Sequence, residues 1–323
     1  EGINIFGSAE VYFGTHHWPV WGNKQVIDFL KVQRDSYKYI HDQTLRLANE
    51  GYTSREIAEV LEFPASLRQT FSNRDYYGTV RHNAKAVYSY YLGWYDANPV
   101  NLNPLPPVEA GKRYVDLMGG GDSLLQKAQV SFDEGEYRWV AELLNHLVFA
   151  EPENESAKAL LARTYDQLGY QAESGPWRDV YLTAAYELRH GIPERIPNPA
   201  GASGLIRQMP TASFFESMAV RLNGPKADGV EITINFIFTD LDTCYVLKLE
   251  NAVLHHYLTT PDPNANATLK LTRDLYVQII TEQTTMMKAA ESGELDISGN
   301  TDDLIRFFSL FTKPTVLFNI ITP

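Results

Sequence analysis

Between Gly191 and Pro210 the chain carries Pro193, Pro197, Pro199, Gly201 and Gly204 as well, six punctuating residues beyond Gly191 itself within one short stretch. Proline fixes φ and removes a backbone donor, so a run this dense fits neither a helix interior nor a central strand. Residues 191–210 therefore read as a linker. The hydrophobic pattern changes across it. Before the linker, apolar residues recur at spacings of three and four; after it they alternate or run together with β-branched neighbours. A chain of 323 residues split in this way predicts an all-α region followed by an α+β region.

On the first side, residues 1–23 read as a short strand, Glu10-Val11-Tyr12-Phe13, broken by a His-rich turn from Gly14 through Pro19. Residues 24–50 follow a helical period through Val26, Phe29, Leu30, Tyr37, Ile40, Leu45 and Ala48, with Gly51 placed to end it. Thr53-Ser54-Arg55-Glu56 matches a capping box, opening a helix that Pro64 is expected to stop. A third helix runs from about Val80 to Gly93, and Pro99, Pro104, Pro106 and Pro107 predict an extended stretch after it. Residues 119–190 read as helical hairpins turned at Gly135-Glu136 and at Pro152–Asn154, with Gly169-Tyr170 closing one helix. Ala128, Tyr137, Ala141, Ala157 and Leu161 fall at tetratricopeptide-like spacing, where small residues let two helices approach.

On the second side, Val230–Phe238, Cys244–Leu249, His255–Leu258 and Ala267–Leu271 form a strand series. Helices follow at about Arg273–Ser292 and Asp302–Phe311, and the expected sheet is antiparallel. Three features exclude classes of function. Forty acidic against 28 basic side chains, a formal net charge of −12, argue against a nucleic-acid partner. Cys244 is the one cysteine, so neither an intrachain disulfide nor a cysteine-rich zinc site is available. No apolar run approaches the roughly 20 residues that span a bilayer, so stable membrane insertion is not expected. The chain opens on Glu1-Gly2-Ile3-Asn4, with no initiator Met and no signal-peptide pattern, and reads as a piece of something longer.

Candidate chemistry is sparse. His16 and His17 follow a strand, where imidazoles can reach into a cleft and hold a metal; taken alone, the pair weighs toward a structural or solvent-facing role. His255 and His256 sit within a strand pattern, one on each face, and read as structural. His41, beside Asp42 in mid-helix, reads as packed and hydrogen-bonded, and His82-Asn83 stays undecided. Tyr76 and Tyr77 on their own read as aromatic packing beside a turn, and Val87–Tyr91 as a buried helix seam. Asp133–Glu136 and Asp302-Asp303 are helix-end acids. Gly119-Gly120-Gly121 lacks the lysine of a phosphate loop and reads as a turn.

The longer string Gly14-Thr15-His16-His17-Trp18-Pro19-Val20-Trp21-Gly22-Asn23 is far more specific. It continues through Gln33-Arg34-Asp35, Tyr39–Leu45, Tyr76-Tyr77-Gly78-Thr79, His82-Asn83 and Tyr91–Pro99. This succession resembles the C-terminal half of the zinc-dependent alkyl sulfatases of the metallo-β-lactamase superfamily, and the resemblance covers essentially the full chain. It implies three parts. Residues 1–23 would be the C-terminal edge of a metallo-β-lactamase αββα catalytic domain, contributing its terminal strand. Residues 24–190 would be an all-α, tetratricopeptide-like dimerisation domain. After the 191–210 linker, residues 211–323 would be an α+β sterol-carrier-like domain, whose strand–turn–helix pattern Gly293–Asn300 fits.

The same resemblance implies hydrolysis of alkyl sulfate esters such as dodecyl sulfate, by a water activated between two zinc ions, in a homodimer that is periplasmic or secreted, with the cytoplasm as the alternative. His16 falls on what looks like the family's last zinc ligand; His17 is its neighbour, which by strand alternation should point elsewhere, as a support to that ligand. Tyr77 falls where family members place a Tyr or His that reaches the sulfate, so it is both the catalytic and the substrate-binding candidate. The family's H-x-H-x-D-H motif, its two acidic metal ligands and the Asn and Arg that hold sulfate are absent from these residues and are expected upstream, in a missing catalytic portion. The competing reading is a non-catalytic helical interaction module joined to a lipid-binding domain.

Overall fold

The computed structural model describes residues 1–192, 206–312 and 317–323. Most of the linker positions named above, 193–205, lie outside the described residues. The chain forms two compact units, Glu1–Pro193 with Asn319–Pro323, and Glu194–Phe318.

The first unit begins with a short helix, α1 (Gly2–Ile5), and a two-stranded antiparallel hairpin, β1 (Val11–Gly14) and β2 (His17–Trp21). The expected turn through Pro19 is corrected here: the chain reverses at Thr15-His16, and Pro19 lies inside β2. Strand pairing joins Tyr12 to Val20 and Gly14 to His17, so the register shifts between them and Pro19 falls at that irregularity, where no ladder donor is needed. The hairpin leads into α2 (Asn23–Asn49), which buries Val26, Ser36, Ile40, Thr44 and Leu47. Tyr37, expected on that face, is exposed. Gly51 and Tyr52 donate back to the carbonyls of Ala48 and Leu47, closing the last turn.

The capping box at Thr53 and Glu56 is formed, and starts α3 (Ser54–Val60). Pro64 does not stop that helix, which ends earlier; Pro64 instead precedes α4 (Ala65–Arg68). Then comes α5 (Val80–Leu92), packed with α2 and α3 around Ile40, Ile57, Ala84 and Tyr88. Tyr88 is buried, but Tyr90 and Tyr91 are exposed, so the expected aromatic seam holds one tyrosine of the three. The proline-rich stretch also departs from expectation. Pro99–Asn101 is a 3-10 turn, and Pro107 is the first residue of α6 (Pro107–Leu117), a position whose amide needs no partner.

Helices α7 (Gly121–Asp133), α8 (Tyr137–Ala150), α9 (Glu155–Gln171) and α10 (Gly175–His190) form the hairpin bundle with α6. Ala128, Leu144, Leu147, Val148, Ala157 and Leu161 have no exposed surface. Two glycines mark close helix approaches. A Cβ on Gly111 would sit 2.7 Å from the His146 carbonyl oxygen of α8, and one on Gly169 would sit 2.9 Å from Leu182 of α10. Gly169 therefore does not end α9 as expected; the helix runs through it because the glycine admits its neighbour.

The second unit is a five-stranded sheet in the order β5-β4-β3-β6-β7, from β3 (Ile232–Phe238), β4 (Thr243–Glu250), β5 (Val253–Leu258), β6 (Ala267–Leu271) and β7 (Asp296–Gly299). The expected all-antiparallel sheet is corrected: β3 and β6 pair in parallel. Buried Asn235 explains how the chain crosses over. Its amide donates to the Asp262 carbonyl and Thr268 hydroxyl, and its carbonyl accepts from the Asp262 amide, pinning the β5–β6 connection over the middle of β3. The expected helix Arg273–Ser292 is two helices, Arg273–Ile280 and Met286–Glu291. Glu282 takes φ +60° and Thr285 caps the second piece, so the chain turns between them. Phe215, Phe236, Phe238 and Phe307 fill the core.

Candidate functional site

A cleft of about 370 Å³ lies between the hairpin, α2 and the segment preceding α5. The hairpin turn carries His16 and His17 to it. Tyr76 and Tyr77 come from Arg74–Gly78, a segment with no regular structure between the 3-10 turn Phe71–Asn73 and α5.

His16 and Tyr77, far apart in sequence, stack face to face with ring centroids 3.6 Å apart and planes 14° apart. Both residues are exposed, Tyr77 at 47%. Neither the His16 ring nitrogens nor the Tyr77 hydroxyl has a hydrogen-bond partner among the described residues. The two rings meet by their faces, and their polar edges stay free for a ligand.

His17 and Tyr76 are held more tightly. His17 Nδ1 lies 3.2 Å from the Tyr76 hydroxyl, and the imidazole stacks on Phe29 of α2 at 5.3 Å. Burial pushes the Tyr76 phenol above its ordinary value, so it keeps its proton and can donate to His17. Half-buried Asp75 accepts from the Val80 amide at 3.1 Å, yet desolvation outweighs that bond and raises its carboxyl above the usual range. Gln33 of α2 donates to the Ser72 hydroxyl and the Asn73 amide oxygen.

Sequence reasoning missed the contacts that hold this segment from behind. Between α9 and α10, Glu173 pairs with Arg74 at 2.5 Å, the Ser174 hydroxyl donates to the Tyr77 carbonyl at 2.6 Å, and the Gly175 amide donates to the Tyr76 carbonyl at 3.0 Å. The signal was present as a helix start, Ser174 before Gly175-Pro176, but nothing in its spacing points to residues so distant.

The other histidines stand apart. His41 bridges Asp42 and the Tyr91 hydroxyl, each at 2.8 Å. The His82 ring meets Trp177 edge-on. His256 reaches Glu216 at 2.9 Å, and His255 is exposed on the opposite face of β5.

A structural or catalytic zinc site takes three or four protein ligands. Among the described residues no group of three or more His, Cys, Asp or Glu side chains is placed to hold a metal ion. The described residues do not by themselves fit a zinc centre; His16 offers one imidazole. No described helix is long and apolar enough to cross a membrane.

In the second unit, a cavity of about 240 Å³ is lined by apolar side chains including Met218, Leu271, Ile279 and Phe308, with Arg221 and Tyr276. Tyr276 is buried, and its hydroxyl has no hydrogen-bond partner among the described residues.

Family models for alkyl sulfatase dimerisation and for the alkyl sulfatase C-terminal domain match residues 53–191 and 199–323. A linear primary-alkylsulfatase from a Pseudomonas species is 47% identical over 100% of this chain and 48% of its own length. The alkyl/aryl-sulfatase BDS1 of Saccharomyces cerevisiae is 46% identical over 98% of this chain and 49% of its own. The solved structure of the stereoselective inverting sec-alkylsulfatase Pisa1 from Pseudomonas superposes with a TM-score of 0.93 at 40% identity, over 100% of this chain and 51% of that one. The chain thus spans about half the length of the curated relatives it matches.

Proposed function

Because the chain belongs to the alkyl sulfatase family, whose dimerisation and C-terminal domains it carries, we propose that the complete protein hydrolyses alkyl sulfate esters to an alcohol and inorganic sulfate. The observation that supports a role for this chain in the chemistry is the His16–Tyr77 stack, with both polar edges unpartnered at the cleft.

In this reading, Tyr77 donates its phenolic proton in a hydrogen bond to a sulfate-ester oxygen. The bond to a charged oxygen strengthens as charge builds on the departing group, and the phenol can assist that group as an acid. His16 is proposed as one ligand of a zinc ion whose other ligands lie outside these residues. His17, fixed by Tyr76 and Phe29, keeps the turn and hence His16 in place. Residues 1–23 are proposed as the edge of a metallo-β-lactamase-like catalytic domain, and the helical region as the homodimer contact. Exposed Tyr90 and Trp94 support the latter, since aromatics are enriched at interface cores. The α+β region is proposed as a sterol-carrier-like domain that shelters the alkyl chain, with its apolar cavity as the place.

The test is dodecyl sulfate hydrolysis by the complete protein carrying Tyr77→Phe. Losing a hydrogen bond to a charged group costs about 1.5–3 kcal/mol, or about tenfold to a hundredfold in rate, with the melting temperature unchanged. Tyr77→His, which restores a donor, should recover part of the loss. Unchanged turnover in Tyr77→Phe would return Tyr77 to packing.

A further inference from the structure

We propose that Ser174 is a positioning residue for Tyr77, an inference that rests on the role given to Tyr77 above. The Tyr77 side chain is half exposed, and its one ring contact is His16, itself exposed. Side-chain packing therefore does not fix its phenol. Its backbone lies in a segment without helix or strand bonds, so placement falls to individual tertiary hydrogen bonds.

The turn between α9 and α10 supplies them. Ser174 is 2% exposed, and its hydroxyl does two things at once. It accepts from the Trp177 amide at 3.3 Å, as the N-cap of α10, and it donates to the Tyr77 carbonyl at 2.6 Å. Both partners are satisfied by one oxygen, so the start of α10 sets where Tyr77 sits. The Gly175 amide does the same for the Tyr76 carbonyl, and the Glu173–Arg74 pair holds the outer end of the segment.

Removing the Ser174 hydroxyl leaves the Tyr77 carbonyl short of its donor. The segment then relaxes toward solvent and the phenol leaves its working position. Misplacement of a contacting group by about 1 Å can cost up to about a hundredfold in rate. The effect should fall on kcat, since the bond proposed for Tyr77 strengthens as charge builds on the departing group.

The experiment is a double-mutant cycle in the complete protein, assayed with dodecyl sulfate: wild type, Ser174→Ala, Tyr77→Phe and the pair. Ser174→Ala alone is expected to lower kcat about tenfold with KM nearly unchanged, and Ser174→Thr, which keeps the hydroxyl, to restore most of it. In the Tyr77→Phe background, Ser174→Ala should cost nothing further in kcat, because the group it positions is gone. The lost cap lowers the melting temperature in either case, but a merely structural serine would slow both backgrounds equally. If Ser174→Ala melts too low to assay, Ser174→Gly removes the same donor while remaining an acceptable cap. Multiplicative losses overturn the inference and leave the Tyr77 reading standing. An unaffected Tyr77→Phe enzyme overturns both.

Discussion

The hairpin bundle α6–α10 and the cleft wall formed by β1, β2 and Arg74–Gly78 belong to one unit, yet they are built on opposite terms. The bundle is sealed: Leu144, Leu147, Leu161 and Ala157 have no exposed surface, and two glycines let backbones meet. The cleft wall leaves Phe13, Trp18, Trp21 and Tyr77 between 47% and 77% exposed, and holds its shape by single hydrogen bonds and ring stacks. In the bundle, residue identity serves packing. At the cleft wall it leaves ring faces and polar edges open to solvent. Substitutions in the two regions should separate stability from activity.

The largest effect belongs to the bundle. Leu161→Ala opens a cavity among Leu144, Leu147 and Ala157, and is expected to cost about 2–5 kcal/mol in denaturant unfolding. Tyr77→Phe should do the converse, with the rate loss stated above and an unchanged melt; a comparable stability loss would erase the distinction. Gly111→Ala sharpens it. Alanine normally favours a helix over glycine, but here its Cβ would press on the His146 carbonyl at 2.7 Å, so we expect a loss of about 1–3 kcal/mol. A gain would mean that α6 and α8 can separate freely.

These contrasts track what could be read from the sequence. Helices with clear period and caps were legible, as at Thr53, where side chain and backbone agree. Ala128, Ala157 and Leu161 were legible as close-packed positions. The parallel β3–β6 pairing was not, because strand alternation carries no strand order; that order rests on Asn235 and a loop 27 residues away. Gly169 misled because a glycine that ends a helix and one that admits a neighbour look alike in sequence. At the cleft, Tyr77 and His16 stood out through the family's motif, while the turn that pins Tyr77 is 97 residues distant from it and spoke only as a helix cap.

The smallest effect is a pH dependence inside the bundle. His146 packs against Tyr114 at 4.4 Å, and burial lowers its pKa below the ordinary 6.5, against a weaker opposing pull from Glu142. The fold prefers the neutral imidazole, so this contribution is complete above the unfolded-state value and is lost as pH falls below it. The melting temperature should decline modestly from about pH 7 to about pH 5, and His146→Phe should flatten that part of the decline. A steeper loss in the variant would contradict the assignment.

The central claim is that the exposed His16–Tyr77 face is one edge of a site completed from outside these residues. Metal content per protomer, measured by elemental analysis, tests it most directly. The account predicts that the 323-residue chain alone holds no stoichiometric zinc, and that the complete protein holds zinc and loses part of it on His16→Ala, with the melt of the helical bundle unchanged. Zinc held tightly by the 323-residue chain alone, or a full complement retained by the His16→Ala protein, would contradict it.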